Sequence, residues 1–246
     1  MNKIFSILIC AFLLVSCAEK HDGERKTGLL SNFMSITDNE DAGVKEILEY
    51  YGGQCKYSIG TSASTQDGKE KFFELEMSQS DVLEEYRDRI SMAASNIAYL
   101  FYENLKEERT NYDEIHAVII FKDGTKKTFE YSTDELELVN NRMSLAIKTV
   151  SLITSKNYEE LVLLLNNEIT NFDKDELIAS LAALEPQLEE VKEFLPFGYH
   201  VREVDNGMKV LHISGILARE VQNIEFSIDV DLNSKEEKVY YFQFKF

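Results

Sequence analysis

A chain of 246 residues with 44 acidic against 26 basic side chains carries a formal charge of −18. Such a field repels phosphate backbones and anionic headgroups, and no basic cluster offsets it, so the composition argues against nucleic-acid binding. A single long apolar run stands out, at the N-terminus, and nothing else in the chain is expected to span a membrane.

That run sets the address. Met1-Asn2-Lys3 is followed by an apolar stretch from Ile4 to Val15, about a dozen residues against the roughly 20 that a spanning helix needs. A short positive start and an apolar core form the pattern of a secretory signal. The stretch ends in Leu14-Val15-Ser16-Cys17, which resembles the lipobox of bacterial lipoproteins. The resemblance implies cleavage between Ser16 and Cys17, acylation of Cys17, and a protein tethered by lipid in the cell envelope. Ala18 after the cysteine, in place of Asp, implies the outer membrane, facing the periplasm or the cell surface. One acyl chain binds only marginally, whereas two or three on one residue make a stable tether.

Cys10 leaves with the signal and Cys17 takes the lipid, so Cys55 alone remains of three cysteines. An internal disulfide is then impossible, and the core must hold the fold. Cys55 alternates with Tyr57 and Ile59, which puts it on an apolar strand face as a buried, inert thiol.

In chain order, residues 1–16 are the signal and 17–38 a polar, glycine-containing stalk. Val44, Ile47, Leu48 and Tyr51 have helical spacing, closed by Gly52-Gly53. Strands over 54–64 and 71–77 flank the turn signal Asp67-Gly68. A long helix from Ser78 or Ser80 follows, with Val82, Tyr86, Ile90, Ala93, Ala94, Ile97, Phe101 and Leu105 as its stripe. Two more strands, 114–121 and 126–131, flank Asp123-Gly124. Together, residues 39–134 read as a first α+β domain of helix, hairpin, long helix and hairpin.

Ser132-Thr133-Asp134-Glu135 reads as a capping box. It opens a helix to Thr154 with Met143, Ile147, Val150 and Ile153 facing in. Shorter helices at 158–165 and from Asp173 to Leu184 follow, with Pro186 kinking the second or starting a new turn. Four strands finish the chain, at 197–204, 208–217, 222–232 and 238–246. The last places Tyr240, Phe242, Phe244 and Phe246 on one face. Residues 135–246 therefore read as a second small domain, a curved antiparallel sheet packed against helices, and the fold class is α+β.

Residues from Ser144 to Phe246 resemble the nuclear-transport-factor-2-like domains of uncharacterised bacterial lipoproteins. The match lies in the helix ending at Thr154, in Lys156-Asn157-Tyr158-Glu159-Glu160-Leu161, in Leu177, Leu181 and Leu184, in Gly198, and in the aromatic closing strand. The resemblance implies helices packed into a cone-shaped sheet that often encloses a pocket, and a sheet that often forms a homodimer. Its members include isomerases, dehydratases and plain binding modules, so the fold does not fix the function.

Chemistry-bearing motifs are scarce. His21, His116, His200 and His212 are scattered without paired spacing, and Asp229-Val230-Asp231 is strand alternation rather than a calcium loop. There is no phosphate loop, dinucleotide fingerprint or Gly-x-Ser-x-Gly. No catalytic residue, metal or cofactor is therefore expected. His212 shares its strand face with Met208, Val210 and Ile216, and a histidine among apolar neighbours is more often structural than catalytic. If a pocket exists, Tyr199, His212, Tyr240, Phe242 and Phe244 are its expected lining. The reading is a non-enzymatic, lipid-anchored binding module for a small apolar ligand or an envelope protein. An immunity-type or structural partner is the alternative, and an isomerase or hydrolase on the second domain comes after it.

Overall fold

The computed structural model describes residues 36–64, 68–166, 172–204, 208–232 and 238–246. The expected signal, Cys17, the expected stalk as far as Ser35 and Asp67 of the expected first turn lie outside these stretches. The described residues form an α+β fold with two four-stranded sheets.

Helix α1 (Asp38–Tyr51) begins just after Thr37, which caps it. The Thr37 hydroxyl accepts from the Glu40 amide at 3.2 Å, and the Glu40 carboxylate accepts from the Thr37 amide at 2.9 Å. This reciprocal pair satisfies two donors that a first helical turn leaves open. Strands β1 (Gln54–Ser64) and β2 (Gly68–Ser78) pair antiparallel, as do β3 (Glu114–Ile120) and β4 (Lys126–Ser132). Gly124, at φ 84°, makes the second turn, in a conformation that costs glycine little. The hairpins join through β2 and β3, which run parallel. Parallel neighbours need a crossover, and the helical segment between them supplies it.

That segment differs from the expected single helix. Ser80 caps α2 (Asp81–Glu85), and a 3₁₀ turn at Arg87–Arg89 separates it from α3 (Ile90–Leu105). The Arg89 amide donates to the Tyr86 carbonyl at 2.8 Å, while Glu84 and Asp123 hold Arg87 from the side. The break changes which residue faces in: Leu83 is buried and Val82 only partly so.

Helix α3 is the centre of the molecule. Every residue from Ala93 to Tyr102 is buried, as expected of a helix enclosed on all sides. The rings of Phe101 and Phe73 of β2 lie 4.2 Å apart. Gly43 of α1 rests directly on Phe101. A third flank meets β5 (Glu193–Val204). There the Ser95 hydroxyl accepts from the Tyr199 amide at 2.9 Å, and from α1 the Tyr50 hydroxyl donates to the Pro196 carbonyl of the same strand at 3.1 Å. Gly198 stands against the Met92 backbone, where the missing side chain is what lets strand and helix touch.

Helix α4 (Thr133–Thr154) starts at Ser132, whose hydroxyl accepts from the Glu135 amide at 3.1 Å. Its buried seam runs through Leu136, Val139, Met143, Ala146, Val150 and Ile153. Ile147, expected on that stripe, is 54% exposed because the seam steps from Met143 to Ala146, one residue short of it. Helices α5 (Tyr158–Leu164) and α6 (Lys174–Leu188) follow, with Pro186 inside the last turn of α6. Strands β5, β6 (Met208–Ala218), β7 (Ile224–Asp231) and β8 (Val239–Lys245) form an open antiparallel meander in chain order. Leu211, Ile213 and Leu217 pair with Val230, Ile228 and Ile224 on its core face. Most buried apolar residues of both sheets belong to one continuous cluster.

Candidate functional site

Two features of the second sheet bear on function: a polar row on its outer face and its aromatic last edge. The row arises from register. β5 slips by one residue between Pro196 and Gly198, after which His200 pairs with His212 and Gly198 with Ser214. His212 in turn pairs with Asp229 of β7. The neighbours of His212 are therefore polar and cross-strand, which corrects the expectation of an apolar surrounding read along β6 alone.

His212 Nδ1 lies 2.7 Å from Asp229 Oδ1, and its Nε2 lies 2.9 Å from Ser214 Oγ. A carboxylate can only accept, so Nδ1 carries the proton; in the neutral ring Nε2 then accepts from the Ser214 hydroxyl. The other Asp229 oxygen is held by Arg202, and the Asp229 side chain is 7% exposed. Burial pushes the Asp229 carboxyl up, but His212 and Arg202 outweigh it and hold its pKa below the ordinary range. The His200 ring lies 4.8 Å from that of His212, and its Nδ1 is 3.3 Å from the Met92 sulfur. Burial first, then His212 and Arg202, lower the pKa of His200 and favour its neutral form. Sequence reasoning had His212 but missed Ser214, Asp229 and Arg202. The available signals were His212 and Ser214, two residues apart on one strand face, and an acid on the polar side of β7.

Beside Ser214, a pocket of about 120 Å³ is lined by Arg89, Phe197, Ser227, Gln243 and Lys245 among others. Another, of about 210 Å³, lies between Ile153, Tyr158, Glu185 and Leu188. Both are smaller than the roughly 300–1,000 Å³ of small-molecule sites. None of Tyr199, His212, Tyr240, Phe242 and Phe244 lines either one.

Tyr199 is 2% exposed and sits against Ser95 of α3 and Tyr131 of β4. Its hydroxyl lies near Glu135 without closing a well-aligned hydrogen bond, and burial raises the pKa of both groups. Phe242 and Phe244 pair with Ile228 and Phe226 on the core face, with ring centroids 6.3 Å and 5.3 Å from Phe226. The register shifts at Tyr240, so Val239 faces Val230 and Tyr241 faces Asp229; the four aromatics expected on one face therefore do not all follow simple alternation. Tyr241 and Phe246 are 51% and 53% exposed. On the outward side of β8, Val239 is bridged to Leu165, and the Asn166 amide donates to the Val239 carbonyl at 2.8 Å.

Metal-ligating side chains gather at one place among the described residues, on the first sheet, where Glu114, His116 and Glu130 converge. No helix among the described residues is long and apolar enough to cross a membrane. Comparison with protein families, with curated proteins and with solved structures returns no match.

Proposed function

We propose that this protein is a lipid-anchored envelope protein, tethered through Cys17, whose second sheet receives an extended segment of a protein partner along β8. The observation that carries the reading is the place of β8 as the last named strand of its sheet, with Tyr241 and Phe246 about half exposed along it. A strand at the end of a sheet can offer backbone donors and acceptors to a further strand, and natural proteins protect such edges with charges, proline or bulges. Beyond the bulge at its start, β8 has Lys245 as its one charge and no proline, while Tyr241 and Phe246 are half exposed. A strand added there gains main-chain hydrogen bonds, with the aromatics selecting its side chains.

Two measurements test this. Metabolic labelling with a fatty acid should mark the wild type and not Cys17→Ser, which should also leave the membrane fraction. A photo-crosslinking residue at Tyr241 should give a discrete adduct in intact cells, and one at exposed Lys45 of α1 should not. Equal adducts at both positions, or none at Tyr241, refute the edge-binding reading.

One observation favours a second reading, hydrolysis on the outer face. Asp229, His212 and Ser214 are linked in the order that activates a serine nucleophile. Ser214 lies mid-strand, so stabilisation of an oxyanion would fall to Arg89 or Gln243 across the small pocket. Turnover of an activated ester that disappears in Ser214→Ala supports this reading; no turnover by the wild type ends it.

A further inference from the structure

The outer face of the first sheet holds a constellation that the edge-binding reading does not use. Glu114 and His116 lie two residues apart on β3, and Glu130 of β4 stands directly opposite His116. Residues at i and i+2 share a strand face, and a cross-strand partner sits about 5 Å away at Cβ, so three side chains converge above the sheet. His116 Nε2 lies 2.8 Å from Glu114 Oε2. The donor atoms of all three residues lie within 4.8 Å of one another.

We propose that Glu114, His116 and Glu130 form a binding site for a divalent transition-metal ion such as zinc. The distances fit. Two ligands each about 2.1 Å from a tetrahedral zinc stand about 3.4 Å apart, inside the interval that the 2.8 Å pair and the 4.8 Å spread define. Small turns of the glutamate side chains close the remainder. One imidazole nitrogen with two carboxylates suits zinc, manganese or iron(II) better than calcium, which prefers oxygen alone. Charge points the same way: the two carboxylates bring two negative charges, which a divalent ion neutralises.

The scaffold holds the central ligand in position. β3 is an inner strand, paired with β2 on one side and β4 on the other. The Phe72 ring stacks on His116 at 4.2 Å and 11°, and the His116 side chain is only 8% exposed. Sites carried on paired strands are more exact than sites on loops. Glu130 is exposed and forms the open side.

The test is calorimetric titration of zinc sulfate, at neutral pH, into the chain from Ala18 onward. The expected result is one zinc per chain, with affinity at least about tenfold weaker in His116→Ala and in Glu130→Gln. Binding should be unchanged in His212→Ala, which removes one of the two histidines of the other sheet. It should also weaken as pH falls, because the ligating imidazole must be deprotonated. Should His116→Ala lose its native circular dichroism, Glu130→Gln, at an exposed position, carries the test alone. No uptake by the wild type, full uptake in Glu130→Gln, or loss in His212→Ala overturns the proposal.

Discussion

Gly198→Ala is the sharpest test of how the two sheets are joined. A methyl carbon at Gly198 falls 2.2 Å from the Met92 carbonyl oxygen and 2.6 Å and 2.8 Å from the Met92 C and Cα. All three are helix backbone, so no side chain can swing away. Restoring an ordinary contact requires β5 to withdraw from α3 by about 1 Å. The bond from the Tyr199 amide to Ser95 Oγ is 2.9 Å long and buried, and the same withdrawal takes it past hydrogen-bonding range. Overpacking costs about 1–3 kcal/mol, and a stranded buried amide about 1–3 kcal/mol. One displacement relieves the first at the expense of the second, so the expected loss is about 2–4 kcal/mol rather than their sum. Urea unfolding followed by circular dichroism measures it, with Ser95→Ala alone and the double variant alongside. Ser95→Ala should cost about 1–2 kcal/mol, and the double variant less than the sum of the singles, because both act on one contact. A Gly198→Ala cost below about 1 kcal/mol, or strict additivity, would refute the account of this junction.

Other predictions concern protons and thiols. Asp229→Asn should destabilise by about 1–3 kcal/mol at neutral pH, since both carboxylate oxygens have partners. The folded pKa of Asp229 is depressed, so its contribution is whole above the unfolded value of about 3.9 and fades as pH falls through the folded value. The stability gap between wild type and Asp229→Asn should hold from neutral pH to about 4 and narrow below; a gap that widens in acid contradicts the pairing. Cys55 is buried, and burial with a further push from Glu76 raises its thiol pKa to about 12. At about pH 8 the thiolate fraction is then on the order of one in ten thousand, so a disulfide reagent should modify Cys55 in urea and leave the native protein untouched over the same time.

What was legible in the sequence was local. Ser80, Ser132 and Asp173 announce helix starts, and each caps one. Alternation along β7 places Ile224, Phe226, Ile228 and Val230 inside. Cys55 lies buried on its strand, as its alternation with Tyr57 and Ile59 predicts. What was not legible depends on which strand lies beside which. The parallel joining of β2 and β3 has no signature in either strand. The partners of His212 follow from the slip at Pro196 in β5 and from the pairing of β6 with β7. Glu114, His116 and Glu130 escape a search for paired histidines because two of the three ligands are carboxylates and the third residue comes from the neighbouring strand. The break before α3 escapes periodicity because Tyr86 and Ile90 keep helical spacing across it, while Arg87 answers to Asp123, far along the chain.

The enclosure of α3 has a consequence for modularity. The helix is encoded in the first half of the chain, between the strands it connects, yet one of its flanks is sealed by β5 from the second half. A fragment ending near Ser132 would keep every strand of the first sheet and still leave Ser95 and the neighbouring small residues of α3 open to water. Such a bared strip of small and apolar side chains favours self-association. The halves should therefore resist being cut apart, transplanted or expressed singly, although each possesses a complete sheet of its own.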